Sequence, residues 1–182
     1  RLRGEGVAWS KLLLGLAAQL AEQGEALVQR LRVAADSAAL TDATTFVRER
    51  LGESPPAGVD ARDWLLARLA RPWRVAGMVA NTGEPGGGPF WVDGPLGVTR
   101  QIVESAQVDP DSAVQQAILR SATHFNPVFI ACALRDADGR MHDLARYVDD
   151  HAVIVTRKSH GGRELLALER PGLWNGAMAH WH

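Results

Sequence analysis

Cysteine occurs once in this chain, at Cys132, so an intrachain disulfide framework is excluded. Inside the apolar run Val128 to Leu134, that thiol reads as a small buried hydrophobe rather than a nucleophile, and a lone cysteine fits a reducing compartment, the cytoplasm. Long apolar runs are also missing. None reaches membrane-spanning length, and no charged-then-apolar leader precedes a cleavage site. Charge of either sign is not in excess: the formal net charge is −1, and the arginines are spread along the chain. Without a basic face to neutralise phosphates, a nucleic-acid partner is not expected. Lysine is confined to Lys11 and Lys158. The histidines, at positions 124, 142, 151, 160, 180 and 182, include no i, i+4 pair and have no cysteine beside them, so a helical metal site is not expected. There is no G-x-S-x-G elbow, no internal repeat and no low-complexity tract. Asp149-Asp150 reads more simply as a solvated turn than as a cation site.

What remains suits a folded α/β chain. With 182 residues, 46% of them hydrophobic, a real core is within reach. Trp9 to Ala35 carries Leu12, Leu13, Leu16, Leu20, Leu27, Val28 and Leu31 near helical period, and Gly15 and Gly24 leave open one long helix or two joined ones. Asp42 to Leu51 predicts a second helix, capped by Thr41 or Asp42 and stopped by Gly52. After the loop Ser54 to Gly58, Asp60 caps a third helix over Ala61 to Ala70, with Trp64, Leu65 and Leu69 on one face and Pro72 beyond its end. From Trp73 the period changes. Trp73 to Ala80, Phe90 to Val92, Val98 to Glu104, Ala152 to Thr156 and Arg163 to Glu169 read as strands, with turns at Asp93-Gly94 and at Ser159 to Gly162. Asp111 to Ala122 predicts an amphipathic helix with Val114, Ala117 and Ile118 inward. Pro127 to Leu134 predicts a central strand buried on both faces. His142 to Val148 predicts a short helix or strand edge, and Pro171 opens a last helix. Strands alternating with helices argue for an α/β sheet, partly mixed because of the hairpin. The expected division is a helical segment over residues 1–71, an insertion or cap, and an α/β part over residues 72–182.

Asn81 to Asp109 is the stretch around which the rest is arranged. Glycines crowd between two apolar runs there, and Gly86, Gly87 and Gly88 have no Cβ, so their backbone can approach a ligand closely or form an anion-binding concavity. The plainer reading is a wide hairpin loop. No dinucleotide or phosphate-loop fingerprint is present. Glu104 ends the apolar strand Gln101 to Val103, where a carboxylate is costly unless it binds something. Asn126 stands at the mouth of the run Val128 to Leu134 and offers donor and acceptor to a hydroxyl-rich ligand. An Asx-turn leading into that strand is its plainer role. Lys158, after the strand Ala152 to Thr156, has the reach to contact a phosphate, although a surface role is commoner.

These segments carry a resemblance. Asn81 to Val92, Gln101 to Gln107, His124 to Val128 and Gly162 to Met178 closely resemble the N-x-G-E-P-G-G-G-P-F-W-V, Q-I-V-E-S-A-Q, H-F-N-P-V and G-R-E-L-x-A-L-E-x-P-G-L-W-N-G-A-M segments of an uncharacterised bacterial family, domain of unknown function 4301. More distantly, Gln101 to Val108, His124 to Pro127 and Leu165 to Met178 are similar, in order and spacing, to segments of UDP-glucose and UDP-N-acetylhexosamine pyrophosphorylases. That second resemblance implies the C-terminal part of a GT-A-like nucleotidyltransferase fold, transfer of UMP from UTP to a sugar 1-phosphate, and Mg2+ as cofactor. By position it implies Glu104 and Asn126 on sugar hydroxyls and Gly86 to Gly88 beside the sugar. Lys158 matches the lysine of an N-P-K segment, although Thr156-Arg157 replace Asn-Pro. Such transfer needs positioning and charge neutralisation more than a protein nucleophile. The nucleotide loop, the acidic metal ligand and the late phosphate-binding lysine of those enzymes have no counterpart between Arg1 and His182. The chain opens on Arg1 and stops at Trp181-His182, so the expectation is a fragment: the sugar-binding side of a nucleotidyltransferase-like protein, inactive by itself. Its ligand would be a sugar 1-phosphate or nucleotide-sugar. The alternatives are a non-catalytic carbohydrate or nucleotide-sugar binding module, and a scaffold in which Glu104 merely folds a hairpin.

Overall fold

The computed structural model describes residues 2–33, 37–83, 86–94, 97–126, 129–149 and 153–169. These residues form helices α1 (Leu2–Val33), α2 (Ser37–Leu51), α3 (Ala61–Leu69) and α4 (Ala113–Arg120). The strands are β1 (Trp73–Ala76), β2 (Val79–Ala80), β3 (Gly88–Gly94), β4 (Gly97–Val103), β5 (His124–Phe125), β6 (Ile130–Ala133), β7 (Ile154–His160) and β8 (Arg163–Glu169). The architecture is mixed α and β, and every strand pair among the described residues is antiparallel: β1 with β6, β2 with β5, β3 with β4, β7 with β8. The chain divides into two units. One takes residues 1–76 and 130–143, the other residues 77–129 and 144–180.

The first unit holds the apolar core. Leu13, Ala17, Ala21, Val28 and Leu31 recur along one stripe of α1 and are buried. Ala39, Ala43, Val47 and Leu51 form the matching stripe of α2, and Leu65 and Leu69 that of α3. Gly24 does not break α1. A Cβ there would lie 2.7 Å from the Trp73 indole, so the glycine is a slot for that ring, which also meets Phe46 edge-on at 5.7 Å. Asp60 caps α3 as expected, its carboxylate accepting from the Asp63 N–H at 2.9 Å. Gly52 stops α2 at φ 73° with its N–H on the Arg48 carbonyl. Thr41 and Asp42 are not caps: α2 begins a turn earlier, and the Thr41 hydroxyl donates to the Ser37 carbonyl inside the helix. Arg62 donates to the Leu31 carbonyl at the end of α1. The Arg68 guanidinium pairs with Glu53, both side chains being nearly buried, and lies over Trp64. The run from Val128 is not a central strand. Its described part, β6, has four half-buried residues, with β1 as its one ladder partner among the described residues and α1 against it. Burial pushes the Cys132 thiol up, which fits an inert residue, and lowers the guanidinium of its cross-strand partner Arg74 to about 10.

The second unit contains the stretch on which the sequence centres. The expected run Trp73 to Ala80 is split, since β2 pairs with β5 instead of continuing β1. Asp93-Gly94 is not the hairpin turn: both residues remain in register, opposite Val98 and Gly97. The β7–β8 hairpin turns at Gly161-Gly162, both at positive φ. α4 is capped by Ser112 but does not bury its apolar side; Val114 is 71% exposed and Ile118 53%. Polar local bonds hold it instead: the Gln115 side chain accepts from the Asp109 N–H, and Gln116 donates to the Asp109 carbonyl. Leu144–Tyr147 is a 3-10 turn. Ala152 and the helix expected from Pro171 lie outside the described residues.

Candidate functional site

Three distant segments of the second unit converge on the glycine run. β3 starts at Gly88 opposite Val103, so the strand pairing carries Gly87 to the level of Glu104. A Cβ on Gly87 would lie 2.7 Å from the Glu104 Oε1 atom: the carboxylate rests on the bare face of that glycine. On the other flank, the Asn126 N–H donates to the Gly87 carbonyl at 2.9 Å. The Asn126 side-chain amide donates to the Gly77 carbonyl at 2.9 Å. One asparagine thus ties the approach to β2 to the entrance of β3.

Each glycine of the run answers a different neighbour. A side chain at Gly86, which has φ 141°, would strike the Phe125 ring at 2.6 Å. At Gly88 it would meet the His124 backbone carbonyl at 2.9 Å. Gly87 and Gly88 are buried, and the volume freed by their missing Cβ atoms is filled by this protein's own atoms. The run is therefore a close crossing of backbones that seats a carboxylate, and not an open anion cradle.

Glu104 is the N-cap that precedes a 3-10 turn, Ser105–Gln107, and its backbone carbonyl accepts from the Gln107 N–H at 2.9 Å. Its N–H donates to the Gln107 Oε1 atom at 2.9 Å. Burial raises its carboxyl above the ordinary range. In this unit the buried side chains are largely polar. Among the described residues of this unit, Thr99, Gln101 and Asn126 are buried, and Ile102 is the one buried hydrophobic side chain. Gln101 donates to the Thr99 hydroxyl at 3.2 Å.

The sequence-predicted site residues thus separate into groups. Gly86, Gly87, Gly88, Glu104 and Asn126 come together. Asn126, at 3% exposure with its amide on Gly77, stands behind the cluster; the Asx-turn expected from it runs into residues 127–128, outside the described residues. Lys158 is not part of that cluster: it lies exposed on β7, in the separate β7–β8 ladder, opposite Leu165. Among the described residues, no group of three or more His, Cys, Asp or Glu side chains is placed to hold a metal ion, and no helix is long and apolar enough to cross a membrane.

The family model for the Domain of unknown function (DUF4301) matches residues 1–182. The chain belongs to the DUF4301 family. No curated protein and no solved structure matches it. The DUF4301 chain also presents residues that reading the sequence alone passed over. Trp91 and Arg100 face each other across β3 and β4, with the guanidinium 5.6 Å from the indole centroid, and both are exposed. Only the strand register makes that pair visible, because nine positions separate the two residues.

Proposed function

We propose that this chain is the sugar-binding side of a sugar 1-phosphate nucleotidyltransferase-like, cytoplasmic protein of the UDP-sugar pyrophosphorylase type. The single observation that supports this best is the carboxylate of Glu104 seated on Gly87, held there by a buried asparagine and by a strand register that fixes both. A half-buried carboxylate can accept from the hydroxyls of a hydroxyl-rich ligand, and a partner left unpaired by the wrong epimer supplies selectivity. On this reading Glu104 accepts from sugar hydroxyls, and Gly86 to Gly88 shape the wall beside the sugar. Asn126 is a positioning residue that sets the height of that wall, and Lys158 is a phosphate-reaching side chain on β7. The ladders of the second unit would then be pieces of a GT-A-like sheet. Mg2+ enters only as the cofactor of such a transferase; no residue of this chain is assigned to it, and no step is drawn through it.

A second reading, a non-catalytic sugar or nucleotide-sugar binding module, is favoured by one observation. Gly87 and Gly88 are filled from within and do not offer a triphosphate a cradle. Calorimetric titration of the chain with a panel of sugar 1-phosphates and UDP-sugars, repeated with Glu104→Gln, tests both. Binding of one sugar series that Glu104→Gln abolishes supports the site. Pyrophosphate release from UTP by the complete reading frame, lost with the same substitution, separates the transferase from the module. A folded chain that binds no member of either panel rules out both readings.

A further inference from the structure

We propose that the outer edge of β8 pairs antiparallel with β8 of a second copy of this chain, joining two β7–β8 hairpins into one four-stranded sheet. The inference is independent of the sugar-site reading. It starts from a strand without the usual protection. β7 and β8 pair over seven consecutive residues without a bulge, from Ile154 opposite Glu169 to His160 opposite Arg163. The 3-10 turn Ser105–Gln107 lies against β7, whereas β8 has no second strand paired to it among the described residues. A two-stranded ribbon is marginal by itself, and an unpaired edge is a row of backbone donors and acceptors open to another strand. Proteins ordinarily blunt such an edge with lysine, proline, a bulge or short length. The β3–β4 hairpin carries Pro89, Asp93 and Arg100. β8 carries no such guard over its centre. Lys158 is on β7, Pro171 comes after the strand, and the middle of β8 reads Leu165-Leu166-Ala167-Leu168. Leu166 and Leu168 are each 67% exposed and Leu165 41%.

The sequence of β8 says which strand suits that edge, because it is complementary to itself. Leu166 is the middle residue of Arg163–Glu169, so an antiparallel pairing of two copies centred there uses the whole strand. In that register Leu166 stands opposite its own copy, Leu165 opposite Ala167, Glu164 opposite Leu168, and Arg163 opposite Glu169. The apolar stretch meets itself, the two ends bring positions of opposite charge together, and no like charges stand opposite each other. A two-fold axis through Leu166 makes the contact isologous, so it closes at two copies instead of propagating. Backbone hydrogen bonds would supply the attraction and the side-chain rows the register, as in strand addition to a sheet edge.

The test is sedimentation equilibrium of the chain as wild type, Leu166→Lys and Leu168→Lys. The wild type should form a dimer as concentration rises. Leu166→Lys sets two lysines opposite each other on the axis and should weaken the dimer by roughly tenfold or more, whereas Leu168→Lys meets Glu164 of the copy and should stay within about threefold. The two leucines are equally exposed, so equal losses would mark a non-specific apolar contact and overturn the register. Melting curves at a concentration where the wild type is monomeric serve as the fold check, and both variants should match it. A second readout is covalent. Opposed residues of paired strands bring their Cα atoms to about 4.5–5.5 Å, within disulfide reach. In a Cys132→Ala background, Leu166→Cys should therefore give a disulfide-linked dimer under mild oxidation, and Arg163→Cys should not. A chain that stays monomeric and gives no Leu166→Cys cross-link overturns the proposal. So does a dimer that persists in Leu166→Lys, since it would use another surface. A monomer whose melting point falls in Leu166→Lys overturns it as well, because the edge would then be covered by residues of its own chain.

Discussion

Gly87 and Gly88 are adjacent and chemically identical, yet they should fail differently. A methyl at Gly87 collides with the end of a flexible side chain, the Glu104 carboxylate, which can swing away. A methyl at Gly88 collides with the His124 carbonyl, part of the backbone of β5, which cannot. Gly87→Ala is therefore expected to cost under about 1 kcal/mol in urea denaturation while displacing the carboxylate and weakening ligand binding. Gly88→Ala is expected to cost about 1–3 kcal/mol. Similar losses from both would mean that the Glu104 side chain is fixed as rigidly as backbone. At this scale the sequence was partly legible. A carboxylate at the end of an apolar strand and a glycine run were visible as unusual, and the structure brings them into contact. What each glycine touches was not visible, because Phe125, Glu104 and His124 reach the run through pairings that no local pattern encodes. Asn126 shows the same limit: its identity suggested a ligand, and its surroundings make it a brace between two carbonyls.

Along the elements, Gly15 and Gly24 provide the sharpest contrast. Both lie in α1, and helix propensity alone predicts that alanine at either position stabilises by about 0.5–1 kcal/mol. Nothing lies within 4 Å of a Cβ on Gly15, so that gain should appear in full. At Gly24 the same Cβ would strike the Trp73 ring at 2.7 Å, and overpacking of about 1–3 kcal/mol should outweigh it. Thermal melts of the two variants should thus move in opposite directions; a Gly24→Ala melt above wild type would show that Trp73 has room to retreat. Helix α3 and strand β8 were legible nearly to the residue, because Asp60, Pro72 and the glycine pair at 161–162 are local punctuation. The sheet was not. Apolar runs fixed that strands exist, but the antiparallel pairing of β1 with β6 joins residues more than fifty positions apart, and alternation does not choose partners. The α4 helix misled for a related reason: its apolar stripe is genuine, but Asp109, Gln115 and Gln116 hold the helix without using that stripe.

At the scale of the whole molecule, His142 in the first unit and Glu104 in the second should contribute opposite slopes to the pH dependence of stability. In the first, burial lowers His142 below the ordinary histidine value against the opposing pull of Asp136. The unfolded chain then takes up the proton first, so this contribution is complete above the ordinary histidine value and is lost as pH falls through the lowered one. In the second, burial raises Glu104. The folded chain holds the proton more tightly, so stability from this group is greatest below the ordinary carboxylate value and declines as pH rises through the raised one. Denaturation curves across that range should show His142→Asn flattening the first slope and Glu104→Gln flattening the second. Unchanged slopes in both variants would place the titrating groups elsewhere.

The account as a whole turns on where a ligand touches. Heteronuclear NMR of the 15N-labelled chain during titration with the UDP-sugar that binds in the calorimetric panel reads this directly. We predict shifts concentrated at the amides of Gly87, Gly88 and Glu104, reduced in Glu104→Gln at the same ligand concentration. Shifts gathered elsewhere, with the glycine run and Glu104 unmoved, would contradict the account and leave Glu104 as the residue that opens a 3-10 turn.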